Sequence, residues 1–175
     1  MPNSKQFGVA LLDTNILDYA FKSRTKVVAS QVLATVSSVY TTVISEYARF
    51  EIYRGLAMER VPLAKALVNS FTPYAVTKDV LDIAAALATC YEKDDVTKRT
   101  RAGISDGDII MGATAFVHKF VIITANRMDF PAPYFEEVSS YEMTDAKKKP
   151  IMIYALKPNI AYLNRMLAVC YPDGN

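Results

Sequence analysis

A three-layer α/β fold around a mainly parallel sheet is what this sequence predicts, and three observations carry the prediction. Short apolar runs suited to buried strands alternate with longer segments whose apolar residues recur every three or four positions. Polar residues suited to capping stand where a run ends and a helix begins, as in "VALLDTNILDY" at 9–19. At 175 residues, 51% of them hydrophobic, the chain can bury one substantial core without needing two domains. The expected organisation is one domain over 1–175, with 131–175 as an extension packed on it.

"FGVALL" at 7–12 is long enough for a buried strand and too short for a typical helix. Asn15 is placed to cap a helix marked by Ile16, Leu17, Ala20 and Phe21. A second helix is expected over 27–37, then a strand at 39–44, "VYTTVI", and a helix over 45–53 with Glu46 in its first turn. Residues 57–70 predict a helix with Pro62 near its start, and "YAVTK" a brief strand. Val80, Ile83, Ala84, Leu87, Ala88 and Tyr91 give an amphipathic helix over 79–98. "SDGDIIMGATAFVHKF" opens with capping residues and continues with small ones that suit close packing on a sheet, and "FVIIT" at 120–124 is the clearest buried strand. Pro131 and Pro133 mark a loop, "SSYEMTDAKKKP" reads as a polar turn region, "IMIYAL" as a strand and 159–168 as a terminal helix.

Twenty basic against eighteen acidic residues leave a formal charge of +2, so any polyanion must be held by local placement of cations. No apolar run approaches a membrane span and no secretory pattern opens the chain, which predicts a cytoplasmic protein with no membrane association. Cys90 and Cys170 lie in apolar surroundings without metal-ligand spacing and read as reduced, packed thiols. With one histidine, His118, near a helix end, a structural zinc site is excluded and a dipole-stabilising or surface role is expected for that residue.

In an open parallel sheet, functional residues gather beyond the carboxyl ends of the strands. Asp13 lies at such an end, Glu46 follows the second strand, and Asn126 and Asp129 follow the strand at 120–124. Asp106 and Asp108 open the small-residue helix, where unpaired amides favour negative charge. Taken singly, each also has a plain role as strand end, first-turn acid, cap or loop residue. Together they form an acidic rim whose mutual repulsion a cation would relieve, and donors that are all oxygen select Mg2+ or Mn2+ over zinc. Thr14 and Asn126 suit supporting roles, holding a water or phosphate and orienting a carboxylate.

These residues fall in a pattern that resembles the PIN-domain nucleases, most closely the VapC ribonuclease toxins of toxin-antitoxin pairs. "LLDTNILD" is similar to the family's opening motif at Asp13, Thr14 and Asn15; "TTVISEYARFEIYRG" supplies the second acid, Glu46; "DIIMGATA" selects Asp108 over Asp106; and "IITANRMDF" supplies Asn126 and Asp129. Gly112 stands where alanine is usual, and the tail beyond residue 130 is longer than is usual. The resemblance implies a three-layer PIN-like domain with a central, mainly parallel sheet of four or five strands flanked by helices. It implies a metal-dependent endoribonuclease in which Asp13, Glu46 and Asp108 hold the first Mg2+ or Mn2+, with Asp129 near it or near a second. The supporting residues are then Thr14, Asn15, Asp106 and Asn126.

Activated water would cleave RNA to leave a 5′-phosphate and a 3′-hydroxyl. Backbone phosphates would meet Arg49, Arg54, Lys98, Arg99, Arg101 and Arg127. A homodimer and a small antitoxin protein are the implied partners. An RNA-processing or structure-selective nuclease without an antitoxin, or an inactive RNA- or protein-binding module, are the competing readings. Tyr19, Tyr47, Phe50 and Tyr53 suit core or dimer packing better than base stacking, "KKK" at 147–149 reads as a solvated turn, and Tyr154, Tyr162 and Tyr171 as fasteners of the tail.

Overall fold

The computed structural model describes residues 8–54, 56–97 and 103–171. Strand β1 (Val9–Leu12) leads into α1 (Thr14–Tyr19) and α2 (Lys26–Ser37); β2 (Thr41–Ser45) leads into α3 (Glu46–Arg54), a 3-10 turn at Met58–Arg60 and α4 (Val61–Val68). Then come β3 (Thr72–Tyr74), α5 (Lys78–Lys93), α6 (Asp106–His118), β4 (Val121–Thr124), a 3-10 turn at Arg127–Asp129, β5 (Phe135–Thr144), β6 (Pro150–Pro158) and α7 (Ile160–Cys170).

The sheet has the order β3-β2-β1-β4-β6-β5. The first four strands are parallel, with Leu11 opposite Val43 on one side and Ile122 on the other, whereas β6 runs antiparallel to both β4 and β5. The architecture is therefore mixed α/β with mostly parallel strands, as expected, and the sheet is larger than the four or five strands expected because the extension adds an antiparallel hairpin. "SSYEMT", expected as turn, is the second half of β5. It reads as polar because an edge strand leaves one face to water, and only its ends and alternate positions are covered.

Helices cover both faces, which is why β1 and β4 are apolar on successive residues rather than alternating. On one face α1, α2, α3 and α4 place Ile16, Val28, Val32, Ile52 and Val68 against Leu12, Ile44 and Ile123. On the other, α5, α6 and α7 place Leu87, Met111, Phe116 and Leu163 against Leu11, Ile122 and Leu156. A Cβ on Gly112 would stand 3.1 Å from the Phe135 ring and 3.4 Å from Leu87 Cδ2. Glycine replaces the usual alanine at the point where the extension's first strand presses on α6.

Three boundaries differ from the sequence expectation. Helix α5 ends at Lys93 instead of continuing to residue 98, since Asp94 turns to an extended conformation and accepts hydrogen bonds from Val96 N (2.9 Å) and Tyr162 Oη (2.6 Å). The helix expected over 57–70 divides into the 3-10 turn and α4, with Pro62 in the first turn of α4, where its missing N–H costs nothing. The brief strand expected at "YAVTK" forms slightly earlier, at 72–74.

Candidate metal centre at the acidic rim

Backbone pairing sets the first acid in place: Asp13 N donates to Ile123 O at 3.0 Å, continuing the β1–β4 ladder by one residue beyond β1. Asp13, rather than Asn15, caps α1. Its carboxylate is 3% exposed and accepts from Thr124 Oγ1 (2.6 Å) and Asn15 Nδ2 (2.5 Å) at one oxygen, and from Asn15 N (3.4 Å) at the other. Asn15 in turn accepts from Ala125 N at 3.1 Å, so its amide ties the end of β1 to the end of β4. Burial pushes the Asp13 pKa from 3.8 to about 7, against the Thr124 hydrogen bond; the charges of Asp108 and Asp129 push in the same direction as burial.

Asp129 ends the 3-10 turn after β4. Asn126 caps that turn, accepting from Met128 N (3.2 Å) and donating to Asp129 Oδ1 (2.9 Å), so it aims the carboxylate. Burial, then the Asp108 charge, raise Asp129 to about 6, against the Asn126 hydrogen bond. Asp108 forms a capping box with Ser105: its Oδ2 accepts from Ser105 N (3.0 Å) and Oγ (2.6 Å), and its own N–H donates to Ser105 Oγ (3.2 Å). Asp106 is exposed at the first residue of α6. Three carboxylates from three segments, Asp13, Asp108 and Asp129, thus act electrostatically on one another.

The β1–β2 register, Leu11 opposite Val43, sets Ser45 level with Asp13 and puts Glu46 on the same rim, exposed at the first residue of α3. Among the described residues, no three Asp, Glu, His or Cys side chains converge closely enough to hold a metal ion together. The Thr14 hydroxyl donates to Glu51 Oε2 at 2.6 Å, which leaves its lone pairs to accept from a water.

Two contributors escape the sequence reading. Thr124, fully buried, donates to Asp13 and accepts from Asn126 N (2.9 Å) and Asn15 Nδ2 (3.1 Å), joining three of the motif residues through one oxygen. It lies inside "IITANRMDF", so its signal was present but unassigned. Glu51 contacts Thr14 and faces the start of α6, where a Cβ on Gly107 would lie 2.7 Å from both Glu51 Oε1 and Tyr47 Cε1. A side chain at 107 would have to displace the Glu51 carboxylate and the Tyr47 ring. Its signal was the i, i+4 spacing that gives Glu51 and Tyr47 one helical face. Beside the rim, Thr14, Asp18, Phe21, Glu51, Ile52 and Leu56 line a groove of about 150 Å³.

The expected phosphate contacts divide. Arg127 pairs with Glu137 (2.9 Å), Arg54 lies over the Phe50 ring (5.5 Å) and Arg49 is half-buried, while Lys98, Arg99 and Arg101 fall outside the described residues. His118 stacks on Phe120 and meets Tyr74 edge-on, a packing role in place of the surface one expected. Cys90 and Cys170 are free and buried, and burial pushes the Cys90 thiol up to about 12.

Comparison with known proteins bears on this geometry. The PIN domain family model matches residues 10–136, which ends as β5 begins. A solved toxin-antitoxin complex from Klebsiella pneumoniae contains a chain 26% identical, with a TM-score of 0.55, over 71% of this chain and 92% of that one. No curated protein matches significantly. No helix among the described residues is long and apolar enough to cross a membrane.

Proposed function

We propose that this chain, which belongs to the PIN domain family, is a metal-dependent endoribonuclease and the toxin of a toxin-antitoxin pair. The observation that carries the reading is the buried Asp13, raised to about 7 in the company of Asp108 and Asp129. Burial is the main push and the neighbouring carboxylates add to it, so the ionised form of Asp13 is disfavoured until a cation offsets its charge.

The donor chemistry fits a hard divalent ion, since every candidate ligand is a carboxylate or amide oxygen and the chain has a single histidine, stacked away in an aromatic cluster. Asp13, Asp108 and Asp129 would have to draw closer together to hold Mg2+ or Mn2+, since among the described residues no three acids converge closely enough as they stand, with Glu46 reaching in from its exposed position and the shell completed by water and phosphate oxygens. When bound, the ion supplies an activated water and neutralises charge at the scissile phosphate. The chain's own work is positional. Thr124 and Asn15 fix the Asp13 carboxylate, Asn126 aims Asp129, and the Ser105 capping box sets Asp108.

The toxin reading draws support from the Klebsiella neighbour and from the groove beside Thr14 and Glu51, whose apolar walls Phe21, Ile52 and Leu56 suit a protein segment that covers the rim. Phe50, Met58 and Leu63 are exposed on the α3–α4 side and suit a second copy of the chain.

The test is cleavage of a mixed single-stranded RNA pool by purified protein in Mn2+, Mg2+ or chelator. Asp13→Asn and Asp108→Asn should each lose on the order of 10²- to 10³-fold, the scale of one preorganised electrostatic group. Glu46→Gln beside Glu51→Gln identifies which glutamate serves the rim. Full cleavage by Asp13→Asn, or cleavage unchanged in chelator, would falsify the reading.

A further inference from the structure

We infer that the tip of the β5–β6 hairpin is a phosphate-binding arm that receives the RNA strand next to the acidic rim, an inference that rests on the ribonuclease reading. Three lysines, Lys147, Lys148 and Lys149, occupy this tip, in a part of the chain beyond the family match.

Strand register fixes where the tip lies. Thr124, at the carboxyl end of β4, is opposite Tyr154, and β6 runs antiparallel to β4. Pro150 is four residues further along, so the hairpin overshoots the end of β4 by about 13 Å at the usual rise per strand residue. The overshoot is on the rim side, because Asp13, Thr124 and Asp129 all lie at or beyond the carboxyl ends of the parallel strands.

The tip is also fixed in place. Asp145, 2% exposed, pairs with Arg24 Nε and accepts from Lys147 N (2.8 Å) and Lys149 N (2.9 Å); its own N–H donates to Lys149 O (3.0 Å), and Ala146 N donates to Arg24 O (3.0 Å). Lys148 takes the left-handed conformation, φ 61°, that such a tight turn requires. The backbone thereby turns inward around the aspartate, and all three lysine side chains are exposed. Since Arg24 already answers the one acid of the turn, the lysines bring three charges with no ion pair among the described residues, and exposed Lys26 stands two residues from Arg24. Cations clustered on a rigid turn near a phosphodiester site are suited to backbone contact, which positions a strand without reading its sequence.

The experiment measures binding separately from cleavage. A short fluorescein-labelled single-stranded RNA is titrated by anisotropy in chelator over a range of NaCl, with the full chain and with Lys147→Gln/Lys148→Gln/Lys149→Gln, and both proteins are assayed for cleavage in Mn2+. Loss of three phosphate contacts should lower the slope of log affinity against log salt by about 2, and weaken binding on the order of thirtyfold near 0.15 M salt. The KM of cleavage should rise in step while kcat at saturating RNA stays unchanged. Equal affinity and equal slope in the variant, with cleavage by the wild type intact, overturns the arm and leaves the ribonuclease standing. Unchanged RNA affinity with lost retention on polyglutamate overturns it in favour of an acidic protein segment. No RNA binding or cleavage by the wild type fails both readings.

Discussion

Asp13 and Asp145 are two aspartates at the same end of the sheet, 3% and 2% exposed, and their environments have opposite effects. Burial is the largest push on Asp13, the charges of Asp108 and Asp129 add to it against the Thr124 and Asn15 hydrogen bonds, and its pKa rises to about 7. Asp145 receives the Lys149 and Lys147 backbone N–H groups and the Arg24 guanidinium, which together hold its carboxyl below the usual range despite burial. Low exposure therefore says little about role by itself: Asp13 sits deep at the end of β1, whereas Asp145 lies in a surface turn wrapped by the backbone it binds. An aspartate whose charge is met by N–H donors and a guanidinium is part of the scaffold, and one buried beside like charges is a candidate for a cation.

Removing the hydroxyl that makes Asp13 tolerable should have the largest effect on this contrast. Thr124→Val takes a 2.6 Å donor from Asp13 and unties Asn15 and Asn126 from it. Metal affinity, read by Mn2+ titration, should fall by about 10- to 100-fold. Cleavage should fall with it, and the pH at which activity appears should move upward.

Asp145→Ala strikes the satisfied partner instead. It strands the Lys147 and Lys149 N–H groups and unpairs Arg24, which is half exposed and so can be rehydrated. The melting temperature should fall by several degrees. Divalent-ion affinity should not change.

A pH series separates the two signs. Between about pH 4 and 7 the native state keeps a proton on Asp13 that the unfolded chain has lost, so that residue's contribution to stability falls as pH rises through this window. Asp145 has the lowered pKa, so its contribution is present above about pH 4 and disappears as pH falls below that. In calorimetry without divalent ions, Asp13→Asn should therefore remove most of the loss that Asp13 causes between about pH 4 and 7. Millimolar Mn2+ should do the same for the wild type, and neither should alter the acid limb. If Mn2+ leaves the neutral limb unchanged, the rim is not a cation receptor.

Smallest is the tail. Tyr162→Phe deletes the 2.6 Å hydrogen bond to Asp94 and should cost about 1 kcal/mol with cleavage unaltered.

Much of this molecule follows from local pattern alone. A period-3.6 stripe placed α5, capping and small residues placed α6, fully apolar runs placed β1 and β4, and the polar residues after those two strands marked Asp13 and Asp129 at their carboxyl ends. Such features are encoded within a few residues, so they can be read along the chain. Contacts between distant residues decided the rest. Asp13 meets Thr124 across 111 positions, Arg24 meets Asp145 across 121, and Thr14 meets Glu51 across 37. Helix α5 stops at Lys93, just past the last apolar residue of its stripe, Tyr91, where Asp94 meets Tyr162 across 68 positions. Burial and charge coupling act through space with a range of a few ångströms, so the sequence determined which residues are acids and on which elements they sit. Only the tertiary structure decided which of those acids are answered by a cation and which stand opposed to one another.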